Sequence, residues 1–488
     1  MIKSKFLTLL LGICFLFCVL PQGHANDGFE AQTLTLTPGR TTAEINITWY
    51  GDADDGRSGK VKYALNSAVR NGAFPANAQV LDAAGIDAST GKVSHKATIT
   101  GLTPNTLYAY SVSSDGINFS RIYTYRTPAA GRFTFVAVGD PQLTEPGVSP
   151  TAEGVPGGFM EKNNSRTTRQ SWIDVVNVIS RQVTNVRFIA GVGDAIDRNL
   201  ISELGRPEDS SNPHEVKYAN FFAPPALRSL PFAPVVGNHE SRSNFGFLYH
   251  YNIPNEQPLT SVPTGQSGSR HEMESRGNYF YLYNNALFVV LNTSAYPRNR
   301  DEAARIINEH FDVTLTAAVQ QHQGQYRWLF VQTHKSIASL ADHAADRDIQ
   351  FYVEAGFQQL MDKHNVDFVL AGHDHIYARS YPMRDGRRIS NTGGTVYFTL
   401  NSSTGQKFYE EFVPDVKNNT EYPYFEDGTA GSAVLMSGNI PYPVNFYHQD
   451  YKPMFLEIDV NNNTVTFRAH EVQDNLRTRV VDTFTVSK

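Results

Sequence analysis

The first part of the chain alternates apolar and polar residues with the two-residue period of β-strands. Residues 43–50 show this alternation most clearly, and residues 96–100 and 107–112 repeat it, with turn-forming residues in between. Such alternation is typical of strands that have one buried and one exposed face. The pattern therefore predicts an all-β sandwich over residues 26–129, with Trp49 in its core.

A turn near the end of this region indicates which kind of sandwich it is. Residues 102–108 read Leu-Thr-Pro-Asn-Thr-Leu-Tyr, and Tyr110 follows in the next strand. The segment is similar to the corner before a late strand of an immunoglobulin-like or fibronectin type III domain, where a Tyr hydroxyl satisfies backbone groups. We therefore expect a fibronectin III-like sandwich in which Tyr108 or Tyr110 has this role.

The pattern changes after Arg132, where short apolar runs alternate with segments of helical periodicity. The runs are nearly continuous, as in strands covered on both faces, and they lie at residues 133–138, 186–192, 232–236, 328–331 and 366–371. Residues 171–183 and 357–364 carry apolar side chains at helical spacing. This alternation predicts an α/β domain over residues 130–488, whose β-rich tail completes a second sheet.

Each of the five apolar runs is followed by side chains that can bind a metal ion. In chain order these are Asp140 and Gln142, Asp194 and Asp197, Asn238 and His239, His334, and finally His373 and His375. Ligands gather at the carboxyl ends of strands in α/β sheets, so we expect the five groups to meet. Carboxylate, imidazole and amide groups suit harder or borderline ions such as iron, manganese and zinc.

The amino-terminal segment has the pattern of a secretory signal peptide. Lys3 and Lys5 precede an apolar run at residues 6–20, and small residues up to Ala25 follow. The run is short for a transmembrane helix, which needs about 20 apolar residues, although an uncleaved anchor remains the alternative. We predict a signal peptide at residues 1–25 and a secreted, periplasmic or cell-surface location. Both cysteines, Cys14 and Cys18, lie inside this segment, so thiolates are not expected as metal ligands.

The overall charge argues against two classes of partner. The chain has a formal net charge of −6 and no run of Lys and Arg, whereas a general nucleic-acid binder shows a basic surplus. Beyond the first 25 residues no apolar stretch is long enough to cross a membrane. We therefore expect no nucleic-acid scaffold and no stable membrane insertion.

The order of the five motifs resembles that of the calcineurin-like metallophosphoesterases. The preceding sandwich and residues 372–383, which read Gly-His-Asp-His-Ile-Tyr-Ala-Arg-Ser-Tyr-Pro-Met, resemble more narrowly the purple acid phosphatases. The resemblance covers almost the whole chain after residue 25. It implies a multidomain protein: a signal peptide (1–25), a fibronectin III-like purple acid phosphatase N-terminal domain (26–129), and a catalytic domain (130–488) built as a two-sheet β-sandwich flanked by helices.

The resemblance also implies a role for each motif residue. Asp194 would bridge two metal ions, identified only as Fe, Zn or Mn. Asp140 and His375 would hold the first ion, and the ligands of the second would be Asn238, His334 and His373. His239 would lie beside the phosphate and donate a proton to the leaving group. His343 matches the position of a second substrate-facing histidine.

Two positions depart from the family pattern and affect the first metal site. Purple acid phosphatases bind iron through a Tyr at the fourth position after the glycine of the second motif, where this chain has Asp197. The wider superfamily has a His two residues after the first Asp, where this chain has Gln142. We expect Gln142 or Asp197 to substitute as a metal ligand, and the metal at this site stays open.

The activity implied by the resemblance is hydrolysis of phosphate monoesters by a metal-bound hydroxide at a dinuclear site. A phosphodiesterase or nucleotidase of the same fold is the alternative within this chemistry, because the pocket decides the substrate. An alternative of another class is a cell-surface binding protein whose metal site has decayed. The full set of ligand candidates argues against decay, whereas Gln142 and Asp197 leave it open.

Overall fold

The computed structural model describes most of the chain after residue 30. The described residues are 31–88, 91–144, 167–197, 213–241, 246–257, 276–295, 297–337, 341, 343, 346–389, 393–405, 407–409, 424–426, 433–437 and 440–488. The predicted signal peptide lies outside them. Within these ranges, no helix is long and apolar enough to cross a membrane.

The N-terminal region folds into two four-stranded antiparallel sheets. Its strands are β1 (Gln32–Pro38), β2 (Ile45–Asp52), β3 (Lys60–Leu65), β4 (Gln79–Asp82), β5 (Ala84–Asp87), β6 (Lys92–Ile99), β7 (Leu107–Ser113) and β8 (Tyr123–Arg126). One sheet has the order β1-β2-β6-β5 and the other β4-β3-β7-β8. Trp49 is fully buried between them, as predicted. The Tyr108 hydroxyl accepts a hydrogen bond from the Thr103 N–H (2.9 Å), which satisfies a backbone group at the predicted corner.

The remaining strands form two larger sheets and a short hairpin. They are β9 (Phe133–Val138), β10 (Val186–Gly191), β11 (Phe232–Ala233), β12 (Tyr279–Tyr283), β13 (Ala286–Val290), β14 (Trp328–Lys335), β15 (Phe368–Gly372), β16 (Tyr377–Ser380), β17 (Met383–Arg384), β18 (Arg387–Arg388), β19 (Val396–Thr399), β20 (Tyr424–Glu426), β21 (Ala433–Ser437), β22 (Ile440–His448), β23 (Met454–Val460), β24 (Thr464–Val472) and β25 (Thr478–Ser487). The six-stranded sheet has the order β11-β10-β9-β23-β24-β25. The nine-stranded sheet has the order β12-β13-β14-β15-β19-β16-β22-β21-β20.

The helices lie in the connections between these strands. They are α1 (Thr168–Gln182), α2 (Pro213–Phe221), α3 (Asn238–Ser241), α4 (Gly246–His250), α5 (Arg300–Ile306), α6 (Asp312–Gln321), α7 (Arg347–Glu354) and α8 (Phe357–Lys363), with a π-helical turn (Ile307–Phe311) joining α5 to α6. Buried residues of α1, α2 and α4 pack on the outer face of the six-stranded sheet. Residues of α5 to α8 cover the outer face of the nine-stranded sheet. The layers therefore run helix, sheet, sheet, helix, and the predicted fold class is confirmed.

An aromatic layer joins the inner faces of the two large sheets. Phe135 on β9 meets Phe288 on β13 edge to face, with ring centroids 5.2 Å apart. Phe188 on β10 meets Tyr281 on β12 in the same way at 6.0 Å. Edge-to-face aromatic pairs add roughly 0.5–1.5 kcal/mol beyond the area they bury. This packing brings the carboxyl ends of β9, β10, β14 and β15 to one side of the domain.

Two strands differ in length from the sequence prediction. The run at 232–236 forms a strand only at Phe232–Ala233, because Pro234 has no N–H to continue a sheet ladder. By contrast, β14 continues to Lys335, so His334 lies within the strand and does not follow it. Strands near the end of the chain complete one of the two large sheets. In the six-stranded sheet, β23 runs antiparallel to β9, and β24 and β25 follow it.

A buried ion pair links an interior strand of the nine-stranded sheet, β16, to the edge strand β25 of the six-stranded sheet. Arg379 on β16 donates two hydrogen bonds to Asp482 on β25, at 2.8 and 3.1 Å. The Tyr377 hydroxyl donates a third to the same carboxylate (2.9 Å). Both charged residues are buried, so removal of one partner leaves an uncompensated buried charge.

We predict that Asp482→Ala lowers the free energy of unfolding by about 3–5 kcal/mol, as measured by chemical denaturation, because it leaves the buried Arg379 without its carboxylate partner. The control is Asp87→Ala, which breaks an ion pair with Arg57 whose two side chains are 62% and 67% exposed. Exposed pairs contribute about 0–1 kcal/mol. Equal losses in the two variants would show that the Arg379 pair does not hold the sheets together.

Candidate metal centre

The ligand-bearing turns of the two large sheets meet at one edge. Gln332 on β14 is fully buried there, and its amide donates to the carbonyl of Gly191 at the end of β10 (3.0 Å). The Tyr281 hydroxyl donates to Oε1 of the same Gln332 side chain (2.9 Å). This side-chain bridge holds the carboxyl ends of β10 and β14 close together. The residues that follow these strands are therefore brought into one cluster.

Four of the predicted ligands surround one point of this cluster. His334 Nε2 lies 2.7 Å from Oδ1 of Asn238 and 3.4 Å from Oδ2 of Asp194. Ligand atoms of Asp194, His334 and His373 all lie within 4.8 Å of one another, and the three residues are buried. Ligands 2.0–2.2 Å from a common ion lie about 3 Å apart. The arrangement therefore fits the predicted second metal site.

The predicted first site lies on the other side of Asp194. His375 Nε2 is 3.5 Å from Oδ1 of Asp140. The amide nitrogen of Gln142 is 3.2 Å from Oδ2 of Asp194 and 3.2 Å from Nε2 of His375. Asp194 Oδ2 thus faces both groups of ligands, as expected for a bridging carboxylate. Gln142 lies among the first group, where the sequence analysis placed it as a substitute ligand.

Backbone carbonyls fix the orientation of two of the histidine rings. The Nδ1–H of His334 donates to the carbonyl of Val192 (2.9 Å), and the Nδ1–H of His375 donates to that of Lys407 (2.7 Å). Each bond leaves Nε2 directed into the cluster. Metal-binding histidines almost always have such a partner on the second nitrogen, because it fixes the tautomer and the ring angle.

The backbone of the centre is in an unfavourable conformation at several ligand positions. Non-glycine residues with a left-handed φ are uncommon, and those in sparsely populated regions cluster at functional sites. Five residues of the centre have φ between 40° and 73°: Asp140, Gln142, Asp194, His373 and His375. The surrounding fold therefore holds these side chains in place against a local conformational preference.

Glycines beside the ligands leave space for neighbouring ligand side chains, which a Cβ at the same positions would occupy. A Cβ on Gly237 would lie 2.0 Å from Oδ1 of Asp194, and one on Gly372 would lie 2.3 Å from Oδ2 of Asp140. Both distances are far below van der Waals contact. The glycines of these motifs are therefore required by the close approach of one ligand turn to the next.

The charges of the cluster favour a bound cation. Burial alone would raise the pKa of the Asp194 carboxyl, but the neighbouring His239 and His334 hold it well below its usual value. Burial opposes protonation of His334, yet Asp194 and Asp140 raise its pKa to about 9. Burial and the nearby His343 lower the pKa of His373, which keeps this ring neutral and able to ligate. The buried carboxylates thus draw positive charge to the position of the ligand atoms.

Two further carboxylates hold the ligand turns through their backbones. Glu240 accepts hydrogen bonds from the N–H groups of Asp194 (2.9 Å), Ile196 (3.1 Å) and Gly237 (2.7 Å). Asp374 accepts from the N–H groups of Ala341 (2.8 Å) and His343 (2.9 Å). The sequence analysis did not identify these backbone contacts, because all the partners except Gly237 are distant in sequence.

His239 lies at the edge of the cluster and contacts Asp197. Nδ1 of His239 is 3.0 Å from Oδ1 of Asp197, and Nε2 is 3.6 Å from Oδ2 of Asp194. Asp197 was expected, as an alternative to Gln142, to substitute as a metal ligand. Its Oδ1 contacts the ring of this histidine.

His343 lies on the opposite side, stacked on His373 with ring centroids 4.1 Å apart. Its Nδ1 is 2.9 Å from Oδ2 of Asp346, and its Nε2 is 3.2 Å from the hydroxyl of Tyr409. Sequence reasoning missed both partners. The three-residue spacing of His343 and Asp346 was an available signal, whereas Tyr409 lies in an irregular segment with no motif.

Another acidic and histidine cluster begins on β22, which pairs with β16 just after His375. His448, Asp450 and Glu471 approach one another there. Arg479 contacts both carboxylates at 2.9 Å, and Lys452 lies 3.9 Å from Glu471. These cations already compensate the acidic charge, so we interpret this cluster as an ion-pair network.

Buried carboxylates, imidazoles and an amide gathered around Asp194 suit a metal centre of the kind that hydrolyses phosphoesters. Residues 133–377 match the family model of the calcineurin-like phosphoesterases, and residues 31–127 match that of the purple acid phosphatase N-terminal domain. The chain belongs to the calcineurin-like phosphoesterases and carries the front domain of the purple acid phosphatases. Divalent metal ions are characteristic of this family.

Solved structures share the fold of this chain, and a curated protein is similar to it in sequence. Purple acid phosphatase PPD1 from yellow lupin (Lupinus luteus) seeds is 17% identical with a TM-score of 0.55, over 93% of this chain and 74% of that one. The structure of PhoD is 12% identical with a TM-score of 0.56, over 94% of this chain and 91% of that one. An uncharacterized protein of Mycobacterium tuberculosis, Rv2577, is 25% identical over 305 residues. That alignment covers 60% of this chain and only 51% of the relative, about half its length.

We predict that Gly237→Ala greatly reduces the bound metal, because the new Cβ would displace Asp194. Elemental analysis of the purified, folded protein measures this. The control is Gly91→Ala, where a Cβ meets nothing within 4 Å; there only the left-handed φ is penalised, by about 1 kcal/mol. Metal content in Gly237→Ala equal to that of Gly91→Ala would contradict the assigned geometry.

Proposed function

We propose that the protein is an exported phosphatase that hydrolyses phosphate monoesters at a dinuclear metal centre. The observation that carries the proposal is the buried cluster of Asp194, His334 and His373, with Asp140 next to His375 and with His239 3.6 Å from Asp194. The substrate would be a small phosphorylated molecule. The proposed division into a signal peptide (1–25), a fibronectin III-like domain (26–129) and a catalytic domain (130–488) places this chemistry outside the cytoplasm.

The proposed metal ligands fall into two groups. Asp140, His375 and Gln142 would hold one ion, while Asn238, His334 and His373 would hold the other, and Asp194 would be shared. We favour Gln142 over Asp197 for the first group because its side-chain amide, whose oxygen would be the ligand, has its nitrogen 3.2 Å from both Asp194 and His375. Ions held there would neutralise phosphate oxygens and lower the pKa of water. The donor set suits iron, zinc or manganese.

His239 acts as the proton donor in this proposal. Asp197 holds Nδ1 of the ring, so Nε2 points towards Asp194 and the phosphate position. Departure of an alkoxide requires a proton, and a positioned histidine is the usual donor. On the other side of the cluster, His343 would contact the substrate, with Asp346 holding its Nδ1.

The proposal is tested by measuring metal content and hydrolysis together. Protein stripped of metal and then reloaded should regain hydrolysis of a chromogenic phosphate monoester, and the corresponding diester should react more slowly. A preference for the diester would identify a phosphodiesterase. Absence of bound metal, together with absence of hydrolysis of either ester, would indicate a binding protein whose metal site has decayed.

We predict that His239→Ala lowers the rate by roughly 10²–10⁴-fold with an alkyl phosphate. Activated aryl phosphates should lose less, because their leaving groups need no proton. Both metal ions should remain bound. The control is His364→Ala, which removes a histidine bonded to Asp312 on another part of the domain. If the alkyl phosphate reacts equally fast with His239→Ala and wild type, His239 is not the proton donor.

We also predict that the active, metal-loaded protein has no strong visible absorption band under oxidising conditions. The purple colour of the related enzymes requires a tyrosinate bound to ferric iron, and the residue at that position is Asp197, which contacts His239. An absorption spectrum measures this. A strong band that is lost on reduction would contradict the prediction, and Tyr409→Phe would then test whether Tyr409 supplies it, since its ring lies 5.2 Å from that of His375.

A further inference from the structure

The N-terminal sandwich contacts the catalytic domain beside the turn that carries His239. Tyr50 on β2 stacks on His250 at the end of α4, with ring centroids 4.5 Å apart. The Tyr50 hydroxyl also donates to Glu215 on α2 (3.2 Å). Glu215 in turn bonds His250 (2.8 Å), and His250 is fully buried. One residue of the sandwich therefore joins two helices of the catalytic domain.

Side chains of β6 hold the backbone at the end of α4. The ammonium of Lys96 donates to the carbonyls of Leu248 and, at 2.7 Å, of Tyr251. The Ser94 hydroxyl donates to the carbonyl of Tyr249 (2.6 Å). Carbonyls at the end of a helix have no partner within it, and a cation there is favourable. The sandwich thus fixes the position of the segment that follows the His239 turn in sequence.

The second helix that Tyr50 contacts reaches the partner of His239. Lys217 on α2 is buried, and its ammonium donates to the backbone carbonyl of Asp197 (3.2 Å). The Asp197 side chain in turn contacts Nδ1 of His239 at 3.0 Å. Only one residue separates Lys217 from Glu215, so a displacement of α2 at the sandwich would also move Asp197.

The space between α4 and the catalytic turn is filled by packed side chains. Phe247 and Tyr251 belong to the same core as Val236, the residue before Gly237. Tyr218 on α2 packs on His250, with ring centroids 4.1 Å apart. Close-packed cores transmit displacements because they contain few voids. Both sides of the His239 turn are therefore supported by elements that the sandwich holds.

We propose that the N-terminal sandwich positions the His239–Asp197 pair for proton transfer, with Lys96 and Tyr50 as its positioning residues. The proposal rests on the proposed role of His239 as proton donor. It gives the sandwich a part in the reaction although none of its residues lies among the metal ligands. Loss of the Lys96 contacts would let α4 and α2 shift and so reorient the side chains of His239 and Asp197. Glu240 and Asp194 would still hold the backbone of the turn that carries Asn238, so the metal ligands would stay in place. The rate of steps that need the proton would then fall.

The test is a double-mutant cycle between Lys96→Met and His239→Ala, measured with an alkyl phosphate on the full-length, metal-loaded protein. Lys96→Met should lower kcat roughly tenfold, because small displacements of a catalytic group are costly. It should cause no further fall in the His239→Ala background, and the bound metal should not change. With an activated aryl phosphate, the effect of Lys96→Met should be much smaller. Lys60→Met is the control, since Lys60 pairs with Asp82 within the sandwich.

An equal fall of kcat in both backgrounds, or no fall in either, would overturn the proposal. If Lys96→Met does not fold, Tyr50→Phe removes only the hydroxyl that binds Glu215 and is measured in the same cycle, where the same outcomes decide. Failure of the proposed function itself gives a different result, in which His239→Ala is as active as wild type with the alkyl phosphate.

Discussion

Two carboxylates, Asp140 and Asp194, are buried side by side where the two large sheets meet. Burial of an ionised carboxylate is very costly unless a cation or hydrogen-bond donors compensate its charge. The surrounding residues supply part of this compensation, since the N–H of His373 donates to Asp140 and that of His239 donates to Asp194. The remaining negative charge is what makes the site suited to metal ions.

The same requirement explains why the ligand turns are so tightly constrained. Carboxylates from one sheet and imidazoles from the other must approach to about 3 Å, which is possible only if the intervening turns have no side chains in the way. Gly237 and Gly372 meet that need. The left-handed backbone of Asp194 and His375 is the conformational cost of the approach. Glu240 offsets part of it through three hydrogen bonds to the backbones of two turns.

Much of this architecture was predictable because it depends on local patterns. The apolar runs of β9 and β15 and the polar residues after them are visible in the sequence, as is the order of the five motifs. Pro234 is a signal in the sequence for the early end of β11, because proline has no N–H for the next hydrogen bond of the sheet. The contact between Asp197 and His239, and the position of Tyr409, depend on how distant segments pack, which no local pattern reports. The proposed part of the sandwich is of the same kind.

The most direct measurement is anomalous X-ray diffraction from crystals of the metal-loaded protein. We expect two peaks about 3.5–4 Å apart, the usual separation in two-metal sites, with Asp194 in contact with both. One peak should lie near Asp140 and His375, and the other near Asn238 and His373. A single peak, or peaks at the separate cluster of His448 and Glu471, would contradict the account of a dinuclear centre around Asp194.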